Sequence, residues 1–179
     1  VNFDFSDDQK SLKDQARKFL ADKSAIKVVR GVLDDEAKSY DEALWRGVAE
    51  MGWLGVAIPE EHGGLGLGRL ELCVLAEEIG RAVAPIPFSS TVYFFAEALM
   101  LAGSDAQKAA HLPKVAGGET IGCFALSEGP GAPTAASIRR EVRWLDADRR
   151  QDPGDRWRLR NALLWSSPKM VRRRFAGAG

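Results

Sequence analysis

Helical periodicity, punctuated by caps and glycines, runs through about the first 115 residues, and a strand pattern follows before all regular patterning stops at residue 139. Each segment before that point carries its own start and stop signals. Ser6 with Gln9 three residues on forms a capping box, and Leu12, Ala16, Phe19 and Leu20 follow on one face. Phe3 and Phe5 can pack beside that face. A second helix is predicted over 41–51, with Asp41 as cap and Leu44, Trp45, Val48 and Met51 as apolar stripe. Gly52 suits its left-handed end. After the glycine-rich run WLGVAIPEEHGGLGLG, a third helix spans 69–81. Leu72, Leu75, Ala76 and Ile79 face inward there, with Glu71, Glu77, Glu78 and Arg81 on the polar side. Pro85 and Pro87 stop it. A fourth helix over 88–101 places Phe88, Val92, Phe95, Ala96 and Leu99 on one side and ends at Gly103. Ser104 caps a fifth, running to about Leu112. Beyond Gly117 and Gly118 the segment TIGCFALS has strand character. The fold class is mainly α: a helical domain over 1–118, the start of a β domain over 119–139, and a tail over 140–179 without matching periodicity.

The tail differs in charge as well as in pattern. Residues 1–139 hold 14 Lys and Arg against 20 Asp and Glu, whereas residues 140–179 hold 11 against 5. Three of the five tryptophans lie in that short basic stretch. The zero net charge of the whole chain therefore does not describe one nucleic-acid surface. Cys73 and Cys123 stand fifty positions apart with no C-x-x-C spacing, which predicts neither a zinc site nor a disulfide framework and points to a reducing, cytoplasmic compartment. The acidic opening VNFDFSDDQK does not read as a signal peptide. The most apolar window, FSSTVYFFAEALML, is 14 residues long and contains Glu97. A membrane-spanning helix needs roughly 20 apolar residues, so this window reads as a buried helix.

The motifs that invite a chemical reading mostly favour a plainer one. GGLGLG lacks the third glycine of a dinucleotide loop, since Glu71 stands there, and no Lys-Ser/Thr pair follows it. A hairpin-like connection whose glycines supply positive φ fits better. Glu60–Glu61 and Glu77–Glu78 are adjacent pairs, and neighbours on a helix point in different directions, so neither forms an acid/base dyad. A solvated helix face is the expectation for them. His62 and His111 lack metal-ligand spacing and read as surface or capping residues. Ser127 sits in no G-x-S-x-G elbow.

Taken in order, the segments resemble the amino-terminal part of an acyl-CoA dehydrogenase. FDFSDDQKSLKDQARKFL is similar to that family's opening helix, and LWRGVAEMGWLGVAIPEEHGGLGLG to its helix followed by a Pro-Glu-Glu-x-Gly-Gly-x-Gly loop. LCVLAEEIGRAVAP resembles its Glu-Glu helix. GSDAQKAAHLPKVAGGETIGCFALSE resembles the segment leading into the first strand of the flavin domain. The resemblance covers residues 2–138 in register. It implies a helical domain, a β-barrel domain and a carboxy-terminal helical bundle. It also implies FAD as cofactor, an acyl-CoA substrate, an electron-transfer partner and a homo-oligomer. The implied reaction is α,β-dehydrogenation: a glutamate takes the α-proton of the thioester while the β-hydride passes to the flavin.

Carried over residue by residue, the resemblance assigns flavin contacts to Phe124, Leu126 and Ser127, with Ser127 where the family has threonine. Glu128 matches the motif's glutamate, whereas Gly129 replaces its proline and the later Gly-Ser-Asp is missing. No residue of the chain is a candidate for the catalytic glutamate, and no metal ligands are expected. Only about 40 residues follow the resemblance, too few for the bundle it implies, so the expectation is a truncated family member inactive on its own. An out-of-frame origin accounts for the tail. The codons of Asp146–Arg158, read one base later, permit TPTGDKTPVTDGD, which resembles a strand pair of the family's flavin domain. The competing reading is a non-enzymatic helical module whose Arg/Trp tail binds nucleic acid or another anionic partner.

Overall fold

A computed structural model describes residues 4–124, 145–146 and 162–165; for Phe124 and the two short later stretches only the backbone is described. The described chain comprises α1 (Asp7–Lys23), α2 (Ile26–Leu33), α3 (Glu42–Glu50), α4 (Arg69–Arg81), a π-helical segment (Ser89–Ala96) running into α5 (Glu97–Ala102), α6 (Asp105–Ala116), and strands β1 (Ile121–Phe124), β2 (Leu145–Asp146) and β3 (Ala162–Trp165). It forms two compact units. One holds residues 1–87 and 116–118, the other 88–115 and 119–179.

In the first unit the predicted caps are in place. Ser6 Oγ accepts from the Gln9 N–H at 3.2 Å while Gln9 Oε1 accepts from the Ser6 N–H at 3.0 Å. Asp41 accepts from the Leu44 N–H at 2.7 Å and starts α3. Ala16, Leu20, Leu44, Trp45, Val48, Val74, Leu75 and Ile79 are buried, as are Trp53 and Leu54 of the short turn after α3. The Trp45 indole N–H donates to the Gly118 carbonyl at 2.9 Å, and Phe19 meets Trp53 edge-on. Met51 departs from the expected stripe and is exposed, because α3 ends one residue before it and Gly52 turns the chain at φ 74°. The amphipathic helix α2 went unrecognised in the sequence reading. Its eight residues bury only Val29 and leave Ile26 and Leu33 exposed, so the apolar pattern is not a core stripe.

Helix α4 ends in a Schellman motif with an unusual occupant. The Ala84 N–H donates to the Ile79 carbonyl and the Val83 N–H to the Gly80 carbonyl, at 3.1 and 3.0 Å. Val83 therefore takes φ 47°, where a β-branched residue is strained and glycine is the usual choice.

In the second unit Phe88, Thr91, Val92, Phe95, Ala96, Ala98 and Leu99 are buried along one helical run. The fourth predicted helix is thus present, with π geometry in its first eight residues. The Ser104–Gln107 pair repeats the capping-box pattern at α6. That helix continues one turn beyond Leu112 through Pro113. The Glu119 and Thr120 N–H groups both donate to the Lys114 carbonyl, closing the helix end, and Gly118 takes φ 76°. Strand β1 pairs in parallel with β3, and β2 pairs antiparallel with β3, giving the order β1-β3-β2. The two later strands fall in the tail, whose remaining residues lie outside those described.

Candidate functional site

The segment to which flavin contacts were assigned begins at the end of β1. Phe124 is the last residue of that strand, whereas Leu126 and Ser127 lie outside the described residues. The described part of the strand is held by the π-helical segment. The Gly122 N–H donates to Thr91 Oγ1 at 3.2 Å, and the same hydroxyl lies 3.3 Å from the Gly122 carbonyl, to which it donates. Thr91 is fully buried, and the Phe95 ring fills the space that a Cβ on Gly122 would need. Next along the strand, burial raises the pKa of the half-buried Cys123 thiol. Thr91 went unnoticed in the sequence because it flanks an apolar stripe. The available signal was a polar residue three positions after Phe88 and four before Phe95.

The glycine loop is not a phosphate cradle. The amides of Gly64, Leu65, Gly66 and Leu67 already donate to the carbonyls of Pro59, Gly55, Ile58 and Val56 at 2.9–3.2 Å. Gly63 and Gly66 have φ of 78° and 63°, as a tight connection requires. A Cβ on Gly64 would overlap the Ile58 carbonyl. The loop leaves Leu65 and Leu67 exposed, and Leu70 at the start of α4 is exposed as well.

The carboxylate pairs separate in character. Glu61 is exposed and lies 3.6 Å from His62. The expectation of a solvated face fails for Glu78, which is 1% exposed. The Arg17 guanidinium bonds both its oxygens, at 2.8 and 3.1 Å, and Arg81 Nε lies 3.5 Å away. The bond from Arg17 lowers the pKa of Glu78 despite burial. On the same seam Glu77 pairs with Lys13 at 2.7 Å, and Gln9 donates to Glu71 at 2.8 Å, which lowers the pKa of that carboxyl too. Helix packing places Arg17 opposite Glu78; one helix's sequence could not reveal it. His111 is half-buried, and desolvation, with Lys114 adding a smaller effect, lowers its pKa and favours the neutral ring. Among the described residues no group of three or more His, Cys, Asp or Glu side chains could hold a metal ion, and no helix is long and apolar enough to cross a membrane.

Residues 6–119 match the family described as acyl-CoA dehydrogenase, N-terminal domain. The chain belongs to the acyl-CoA dehydrogenase family. It is 37% identical to the mitochondrial isovaleryl-CoA dehydrogenase of Arabidopsis thaliana over 69% of this chain and 31% of that protein. Among solved structures it is similar to the steroid acyl-CoA dehydrogenase Tcur3481-Tcur3483 in its G363A variant, with 40% identity, a TM-score of 0.62, and coverage of 69% of this chain and 34% of that one. It is also similar to an acyl-CoA dehydrogenase of Bacillus anthracis solved in complex with FAD. There the identity is 27% and the TM-score 0.63, over 78% of this chain and 23% of the other. The chain thus spans about a third or less of the length of these relatives.

Proposed function

We propose that these residues are the amino-terminal part of an FAD-dependent oxidoreductase that dehydrogenates acyl-CoA thioesters between Cα and Cβ. The match over residues 6–119, running directly into a strand at Ile121–Phe124, carries this reading. In it, FAD accepts the β-hydride when bound. The chain's own residues provide the helical scaffold and the first flavin contacts, at Phe124, Leu126 and Ser127. The 179 residues alone do not turn over substrate. In this reading the glutamate that takes the α-proton, and the groups that hold the thioester oxygen as enolate-like charge develops, belong to parts of the family beyond the amino-terminal domain matched at residues 6–119. The paired carboxylate Glu78 is no substitute, since it is buried in a structural seam with both oxygens already bonded by Arg17.

An electron-transferring flavoprotein is the proposed redox partner, and assembly with further copies of the intact protein is part of the reading. The exposed Leu65, Leu67 and Leu70 are an apolar surface suited to protein contact. A reducing, cytoplasmic location belongs to the same reading, supported by the free thiols of Cys73 and Cys123.

The experiment is expression of the coding DNA re-read one base later after codon 138, joined to whatever coding sequence follows in that frame. A yellow protein whose flavin is bleached by an acyl-CoA is expected. A colourless protein without turnover would refute the assignment. The binding-module alternative predicts a different result: nucleic-acid mobility shifts that weaken steeply with salt and vanish when residues 140–179 are deleted.

A further inference from the structure

We propose that Thr91 is a positioning residue for the flavin strand: its hydroxyl stands in for a neighbouring strand at Gly122 and so fixes the register of β1. The proposal rests on the flavin reading above. A backbone N–H and carbonyl in a sheet are ordinarily satisfied together by the adjacent strand. Here a single side-chain oxygen does both, accepting from the Gly122 N–H at 3.2 Å and donating to its carbonyl at 3.3 Å. A hydroxyl has the one donor and two acceptor sites this needs.

Phe95, four residues along the same π-helical segment, closes the space over Gly122, so no other residue fits there. The two contacts fix different things. Phe95 sets how closely the strand approaches, and Thr91 sets which residue sits opposite. Register matters because a slip of one residue turns every side chain of a strand to the other face. Phe124 lies two residues beyond Gly122, and in chain order Leu126 and Ser127 follow it. π-helical turns are rare and tend to occur at functional sites. This one spans eight residues and carries both contacts.

Thr91→Val and Thr91→Ser in the full 179-residue chain separate positioning from packing. Valine keeps the shape and loses the hydroxyl; serine keeps the hydroxyl. Three things are read by amide spectroscopy: hydrogen exchange across Ile121–Phe124, the shifts of those amides on titration with FAD, and exchange in α1 and α4 as a fold control. In Thr91→Val, Gly122 exchange is expected to speed up about tenfold and the FAD-induced shifts to fall about fivefold, as loss of one net hydrogen bond implies. α1 and α4 should be unchanged, and Thr91→Ser should stay close to wild type in every reading.

Wild-type exchange and wild-type FAD shifts in Thr91→Val would overturn the proposal and leave Thr91 as a packing residue. Should the valine variant fail to fold, Thr91→Ser decides: retained Gly122 protection and FAD shifts support the role, and loss of either overturns it. Absence of any FAD-induced shift in the wild-type chain would instead refute the flavin reading for this chain, and the positioning role with it. That outcome is recognised because it shows in the wild type, before any variant is compared.

Discussion

In the first unit α1 meets α4 through Arg17–Glu78, Lys13–Glu77 and Gln9–Glu71, so charged or charge-assisted bonds line the seam. In the second unit β1 meets the π-helical segment through one neutral hydroxyl and one aromatic ring against a bare Cα. The two seams should therefore respond to different stresses. Acid and salt act on the first. A single added carbon acts on the second, because a close-packed contact has no room to relax.

The largest predicted effect tests the neutral seam. Gly122→Ala forces its Cβ into the Phe95 ring and is expected to cost about 3 kcal/mol. Urea unfolding followed by amide exchange at Ile121–Phe124 and in α1 and α4 will show whether the loss stays in the second unit. Equal loss in α1 and α4 would contradict the contrast.

Next comes Glu78→Gln, which removes the charge from a buried group while keeping its shape. Loss of the charge-assisted bonds from Arg17 should cost about 1–2 kcal/mol, the lower end because Arg17 itself is half-exposed. Chemical denaturation at neutral pH measures it, with β1 exchange expected to stay as in the wild type.

The acid limb sharpens the same point. Glu78 has a folded pKa below its ordinary value of 4.5. Its stabilisation is therefore present above that ordinary value and is lost as pH falls through the lowered one. Glu71, lowered by its bond from Gln9, acts in the same direction. Melting of α1 and α4 should show this acid limb in the wild type and a shallower one in Glu78→Gln. An identical limb in both would remove Glu78 from the account.

The smallest effect is a gain. Val83→Gly relieves the strain at φ 47°, partly offset by the freer unfolded chain, and should stabilise the first unit by about 0.5–1 kcal/mol in thermal melts. Gly118 shows the preferred residue at a comparable helix end, at φ 76°. A loss of stability would mean that the Val83 side chain makes contacts worth more than the strain.

Legibility in the sequence followed the range of the interaction. Caps and stripes are local, so Ser6, Asp41, Ser104 and the bounds of α4 could be read directly, as could the strand after Gly118. The helix 88–102 was legible as apolar periodicity, but its π geometry was not, since a one-residue change in turn size leaves the stripe almost intact. Helix α2 was missed because only Val29 of its eight residues is buried. Glu78 and Thr91 were missed for a shared reason. Each polar side chain finds its partner some 30–60 residues away in sequence, so neither can be told locally from a solvated residue. Of the assigned flavin contacts, the described strand reaches Phe124, and the other two lie beyond it.

The central proposal is that the helical domain matched at residues 6–119 leads into a flavin strand and that the 179 residues do not themselves dehydrogenate an acyl-CoA. Anaerobic addition of an acyl-CoA to the purified chain with FAD, followed through the visible flavin band, tests it most directly. The account predicts a band that stays unbleached over many minutes at high protein concentration. Rapid bleaching, with an enoyl-CoA product, would contradict it.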